Sequence, residues 1–309
     1  MIQTVFSAAL PMGESLVVSK NRIVGARKAG PRIAVVTGMH GDALAGQFVT
    51  FELARRLRER PGDLLGVVDI YPALNPLGLS SREHGVPQFD IDLDRTFPGN
   101  ADGNLTEALA AAVLDDICGA SACLVIHSSD AFVQELTQAR IDEADPKVLV
   151  GIASQLNVRL VWVREPSAPL GSTLAHALNE RGTPTLEIKM GSDVRVAENE
   201  ASWLVEGILR MLEHLRAWSG PTILLPQPRV SDGSDVITLL SEEPGLFLPR
   251  AEHGSEVRPG QSIGIVVDAL EGTVRHEVRS PCAGLLFALR TYPVVYPGSL
   301  VARVLEVPR

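Results

Sequence analysis

Arg32-Ile33-Ala34-Val35-Val36-Thr37-Gly38 is an apolar, β-branched run closed by a glycine, and it reads as a buried strand. The next segment, residues 44–60 (LAGQFVTFELARRLRER), places apolar side chains at helical spacing, with Phe48, Phe51, Leu53, Ala54 and Leu57 facing inward. The alternation then repeats. Strands are predicted at 65–73, 121–127, 158–163 and 184–190, and helices at 105–117, near 145–156, at 171–181 and at 198–217. Such an order predicts an α/β fold, a mainly parallel or mixed sheet with helices on both faces. Ligands of these sheets sit at the carboxyl ends of the strands, where His40, Asn75 and His127 lie. Residues 74–104 are dense in Asn, Pro, Gly, Arg and Asp and too long for a mere connector, so they read as a functional loop.

The pattern changes near Trp218–Pro221. Beyond it, short strands separated by Gly/Pro turns (EEPGLF, VRPGQS, SPCAGLL, VYPGSL) predict a small all-β domain at 221–309, after an α/β domain at 1–220. The formal charge of -9 is spread along 309 residues, which argues against a nucleic-acid partner. Three cysteines, Cys118, Cys123 and Cys282, fit a reducing compartment and supply no Cys-x-x-Cys metal site. The N-terminal MIQTVFSAALPMGE lacks the basic and long apolar regions of a signal peptide. No apolar run reaches the ~20 residues of a membrane span. A cytoplasmic protein with no membrane partner is therefore expected.

Five short motifs carry chemistry: Gly38-Met39-His40-Gly41-Asp42-Ala43; Asn75-Pro76-Leu77-Gly78, then Arg82; Asp92-Leu93-Asp94-Arg95-Thr96-Phe97-Pro98-Gly99; Val125-Ile126-His127-Ser128-Ser129; and Pro184 to Gly191, PTLEIKMG. Singly each is weak, since a histidine at a strand end is commonly just a polar group satisfied by its neighbours. Together and in this order they resemble the succinylglutamate desuccinylase/aspartoacylase family, relatives of the zinc carboxypeptidases, from about residue 32 to the C-terminus. The resemblance implies a zinc-dependent hydrolase of linear amides. His40 and His127 match its zinc-binding histidines, which leave a position for water. The metal acidifies that water and a glutamate on a late strand acts as base. Asn75, Arg82 and Arg95 match the loop that holds the substrate carboxylate and the developing oxyanion, a role suited to the forked guanidinium. The C-terminal module resembles the family's biotinyl/lipoyl-like β-domain. It cannot carry either group, because no lysine follows Lys189, and it is expected to wall the site or form an oligomer contact.

The departures fall on the chemistry. Ala43 stands where the family has a glutamate ligand, Lys189 where it has the catalytic glutamate, and Val125 where it has an aspartate. Asp94 replaces an asparagine, and Asp130 stands where relatives have asparagine. Glu187, two residues before Lys189, shares its strand face about 6–7 Å away, as an ion-pair partner or a displaced base. A Lys189 ammonium beside the histidines would repel zinc and could take its place, paired by Asp94 and Asp130. Ser128-Ser129 lack a nucleophile elbow. His84, His176, His214, His253 and His276 have no partner spacing and read as ordinary residues. Two readings follow. In the first, the protein is a catalytically impaired homologue, a pseudoenzyme or non-catalytic subunit that binds an acyl-amino-acid-like ligand or an active paralogue, within an oligomer. In the second, it is a zinc-dependent deacylase of N-acyl amino acids or related amides, with Asp42 as substitute ligand and Glu187 or Asp94 as base.

Overall fold

The computed structural model describes residues 1–26, 30–87, 89–129, 132–142, 146–164, 172–191 and 198–307. An antiparallel hairpin, β1 (Ile2–Ala9) and β2 (Ser15–Val24), opens the chain. Then come β3 (Arg32–Val36), α1 (Ala45–Glu59), β4 (Val67–Tyr71), α2 (Pro76–Ser81), α3 (Leu105–Ile117), β5 (Ala122–Ser128) and β6 (Val133–Ile141). They are followed by α4 (Lys147–Ala153), β7 (Leu160–Val163), α5 (Leu174–Glu180), β8 (Thr185–Gly191) and α6 (Glu198–His214). The rest is β-structure: β9 (Arg229–Ser231), β10 (Val236–Leu240), β11 (Gly245–Pro249), β12 (Glu256–Val257), β13 (Ser262–Asp268), β14 (Thr273–Arg279), β15 (Gly284–Arg290), β16 (Val294–Val295) and β17 (Leu300–Glu306).

One long sheet runs β1-β2-β4-β3-β5-β8-β6-β15-β17-β10. Its centre, β4-β3-β5-β8, is parallel, and antiparallel pairs flank it on both sides. β15 pairs with β6, so the C-terminal region extends the main sheet, while β14-β13-β11-β16 form a separate small antiparallel sheet. Side chains alternate between faces along each central strand. Ile33, Val35, Leu124, Ile126 and Ile188 pack against α1, α4 and α6; Ala34, Val36, Cys123 and Val125 pack against α3 and α5. The mixed sheet with helices on both faces is thus as expected.

Three differences have physical causes. The buried stripe of α1 is Ala45, Val49, Leu53 and Leu57, at i, i+4, i+8 and i+12, so Phe51 lies off it and is 60% exposed. The β1–β2 hairpin escapes a hydrophobicity pattern because β1 is buried on neither face. β6 escapes it because its buried positions include Glu135 and Gln138, polar residues drawn in by the site.

Candidate functional site

The site is built on the carboxyl ends of β3, β5 and β8. After β3 the chain turns so tightly that a Cβ at Gly41 would fall 2.0 Å from the carbonyl carbon of Gly78. Gly78 in turn sits on Asn75, which caps α2 by accepting a hydrogen bond from the Gly78 amide (2.8 Å) and donates to the Gly85 carbonyl (2.8 Å). The Gly41 amide donates to the Glu83 carbonyl. This backbone contact lays His84 flat on His40, with ring centroids 4.0 Å apart and planes 9° from parallel. His40 Nε2 meets Asp92 Oδ1 at 2.8 Å, and His84 Nδ1 meets Asp42 at 3.0 Å. Two stacked imidazole–carboxylate pairs result.

The strand registers fix the remainder. His127 on β5, Lys189 on β8 and Gln138 on β6 form one cross-strand row; Val125, Glu187 and Arg140 form the row below it. Cross-strand neighbours share a face. Lys189 is therefore directed between His127 and Gln138, and Glu187 towards Arg140. Among the described residues no ion pair joins Lys189 to Glu187 or to Asp94, so the expected Glu187–Lys189 pair is not formed. Asp94 enters from the loop, held by the Leu174 amide (3.1 Å), with Oδ2 3.9 Å from His127 Nε2.

A cavity of about 540 Å³ opens over these groups, and its lining includes His40, Asp42, Ala43, His84, Asp92, Asp94, Arg95, Glu187 and Lys189. On the β6 side it is walled by Glu135, Arg140, Arg164 and Arg303. Glu135 accepts from Arg140 (2.8 Å) and from Arg303 of β17 (2.9 Å), so the C-terminal region does supply a wall. Arg140, Arg164 and Arg303 all approach the Trp162 ring within 6 Å. The cavity thus has an imidazole–carboxylate half over β3 and β5 and a guanidinium half over β6 and β17, with Lys189 between them.

Burial sets the charge states. It drives the His127 imidazolium form down, helped by Lys189 and His40, so this ring is neutral. Burial, reinforced by Glu187, pushes the Asp94 carboxyl up. Burial and then Arg140 lower Lys189, against the pull of Glu187 and Asp94. Burial also raises Asp92, but the bonds from His40 and the Asp94 amide outweigh it and its net shift is downward.

The structure brings His40, Asp42, Asp94, Arg95, His127, Glu187 and Lys189 to one place. Asn75 is buried with its amide spent on backbone groups, Arg82 is exposed at the αL cap of α2, and neither lines the cavity. Asp130 lies outside the described residues. Sequence reading missed His84, Asp92 and the Glu135–Arg140–Arg303 group. The loop histidine gave no signal, but Asp92 heads a motif already singled out. The zinc set implied by the resemblance does not fit as it stands. Position 43 has no donor atom, and two imidazoles fall short of the three protein ligands a catalytic zinc takes. Donor atoms do converge elsewhere, in His40–His84–Asp92 and in the buried triad Asp94–His127–Glu187, which could hold a metal.

Comparison with known proteins agrees with this fold. The chain is 27% identical to the N-alpha-acetyl-L-2,4-diaminobutyric acid deacetylase of Halomonas elongata, covering 91% of this chain and 84% of that one. Its fold matches the succinylglutamate desuccinylase/aspartoacylase of Rhodobacter sphaeroides with a TM-score of 0.83 at 24% identity, over 99% of this chain and 96% of the other. It matches the product-bound ectoine utilization protein EutE (DoeB) of Ruegeria pomeroyi with a TM-score of 0.83 at 21% identity, over 99% and 95%. Residues 29–215 match the model of the succinylglutamate desuccinylase/aspartoacylase catalytic domain, and the chain belongs to that deacylase family.

Proposed function

We propose that this protein binds an N-acyl amino acid, or a related small amide bearing a carboxylate, and that it has lost most of its family's hydrolytic power. Lys189 carries this reading. It stands in register with His127, where the resemblance calls for a glutamate base, while Ala43 supplies no ligand opposite it. A lysine there offers no carboxylate to take the proton of an attacking water, and it attracts a ligand carboxylate instead. The guanidinium half, with Arg164, Arg303 and the half-exposed Arg95, suits the carboxylate of an acyl amino acid. A regulatory subunit of an active paralogue would have this character. Amide hydrolysis at a rearranged centre is the second reading, and the buried triad Asp94–His127–Glu187 supports it.

Calorimetry with N-acetyl-L-2,4-diaminobutyrate and other N-acetyl amino acids, run beside a deacylation assay in zinc, separates the two. The expected result is binding in the range of about 10 μM–1 mM with turnover far below the ~1–10³ s⁻¹ of ordinary enzymes. Turnover within that range would overturn the proposal.

A further inference from the structure

The buried triad is made of three groups that lack ordinary partners. His127 is 2% exposed, yet neither of its ring nitrogens has a hydrogen-bond partner in the described structure. Glu187, 9% exposed, has no hydrogen bond or ion pair among the described residues, and Asp94 has one hydrogen bond, from the Leu174 amide, beside its long 3.9 Å contact with His127. Native proteins rarely leave buried polar atoms in this state, and a missing ion is one standard cause. Ligand atoms of all three lie within 4.8 Å of one another. Two donors on one tetrahedral zinc stand about 3.3 Å apart, so the 3.9 Å gap from His127 Nε2 to Asp94 Oδ2 needs only a small side-chain adjustment.

We infer that the chain holds a divalent cation at a relocated site, with Asp94, His127 and Glu187 as its ligands, displaced from the His40 position towards β8. One imidazole and two carboxylates suit an ion of borderline hardness such as Zn²⁺. His40 and His84 take no part, being engaged with Asp92 and Asp42. Two of the three ligands are absent from the pattern that the resemblance supplies. Asp94 replaces an asparagine, and Glu187 lies beside Val125, one row below the lost base. Asp94 and Glu187 line the cavity, so a carboxylate or amide oxygen of a ligand would reach a bound ion from that side. This goes beyond the proposed binding function, which concerns turnover and ligand class.

The test is the anomalous difference map of crystals of the full chain grown with Zn²⁺, read with calorimetric Zn²⁺ titration of variants. The expected map has one peak about 2.0–2.2 Å from Asp94, His127 and Glu187. Glu187→Gln and Asp94→Asn should each weaken Zn²⁺ at least about 10-fold, and His40→Ala should leave it within about twofold. A peak on His40 and His84, loss of binding in His40→Ala, or no zinc in the unmodified protein would overturn the inference. Should either carboxylate variant fail to fold, the map still decides. Because the map reads position and not turnover, its failure leaves the ligand-binding proposal standing.

Discussion

Lys20 is a buried charge held by two carboxylates. It is 3% exposed, with Nζ 2.8 and 2.7 Å from the two Asp116 oxygens and 3.5 Å from Asp69, a fully buried carboxylate. Lys20→Met would strand Asp69, leaving it only Arg22 and Arg32 at 3.6 and 3.4 Å. We expect a loss of about 2–3 kcal/mol in urea unfolding, because removing one partner of a buried pair costs more than the pair contributes. His253 gives a pH signature. Burial holds its pKa below the usual value, outweighing the bond to the Phe287 carbonyl. Above about pH 6.5 the ring is neutral in both folded and unfolded chains and contributes no pH dependence. As pH falls below that value the unfolded chain takes the proton first, so stability drops until the folded pKa is reached. His253→Gln should flatten this part of the pH–stability curve below about pH 6.5, and an unchanged curve would contradict the assignment. At this scale the sequence was informative wherever a residue sat in an ordered motif. His40, His127, Lys189 and Ala43 were all placed by register with their neighbours. His84 was not legible, since its role comes from the backbone bond of Gly41 to Glu83, reached through the close approach of Gly41 to Gly78, which no periodicity encodes.

Single elements hold the site through their ends. α3 begins with a full capping box: Asn104 accepts from the amides of Thr106 and Glu107, and Glu107 accepts from the Asn104 amide. Asn104→Ala should cost about 1 kcal/mol, measured by denaturation, with ligand affinity unchanged because α3 lies outside the cavity. Gly41→Ala acts differently. The added methyl meets α2 backbone, which cannot rotate away, so about 1–3 kcal/mol is lost and His84 is lifted from His40. The helices and central strands were readable because their buried faces are apolar and periodic. β6 was not, since the face it presents to the cavity carries Glu135, Gln138 and Arg140, so the functional strand lacks the pattern by which strands are found.

Across the whole molecule the sheet passes from the parallel centre through β6 into β15 and β17, and Arg303 is the side chain that this continuity delivers to the cavity. Arg303→Gln removes a guanidinium from the ligand wall and leaves Glu135 held by Arg140. A loss of about 10-fold or more in affinity for a carboxylate-bearing ligand is expected, against little change for its methyl ester. The central claim concerns Ala43 and Lys189 together. Ala43→Glu with Lys189→Glu restores the acid at both positions, and deacylation of an N-acetyl amino acid in Zn²⁺ is the readout. The account predicts negligible turnover by the unmodified protein and a gain of at least about 100-fold in the double variant, equal to about 2.7 kcal/mol of barrier. Ordinary enzymatic turnover by the unmodified protein, unchanged or lowered by the two glutamates, would contradict it.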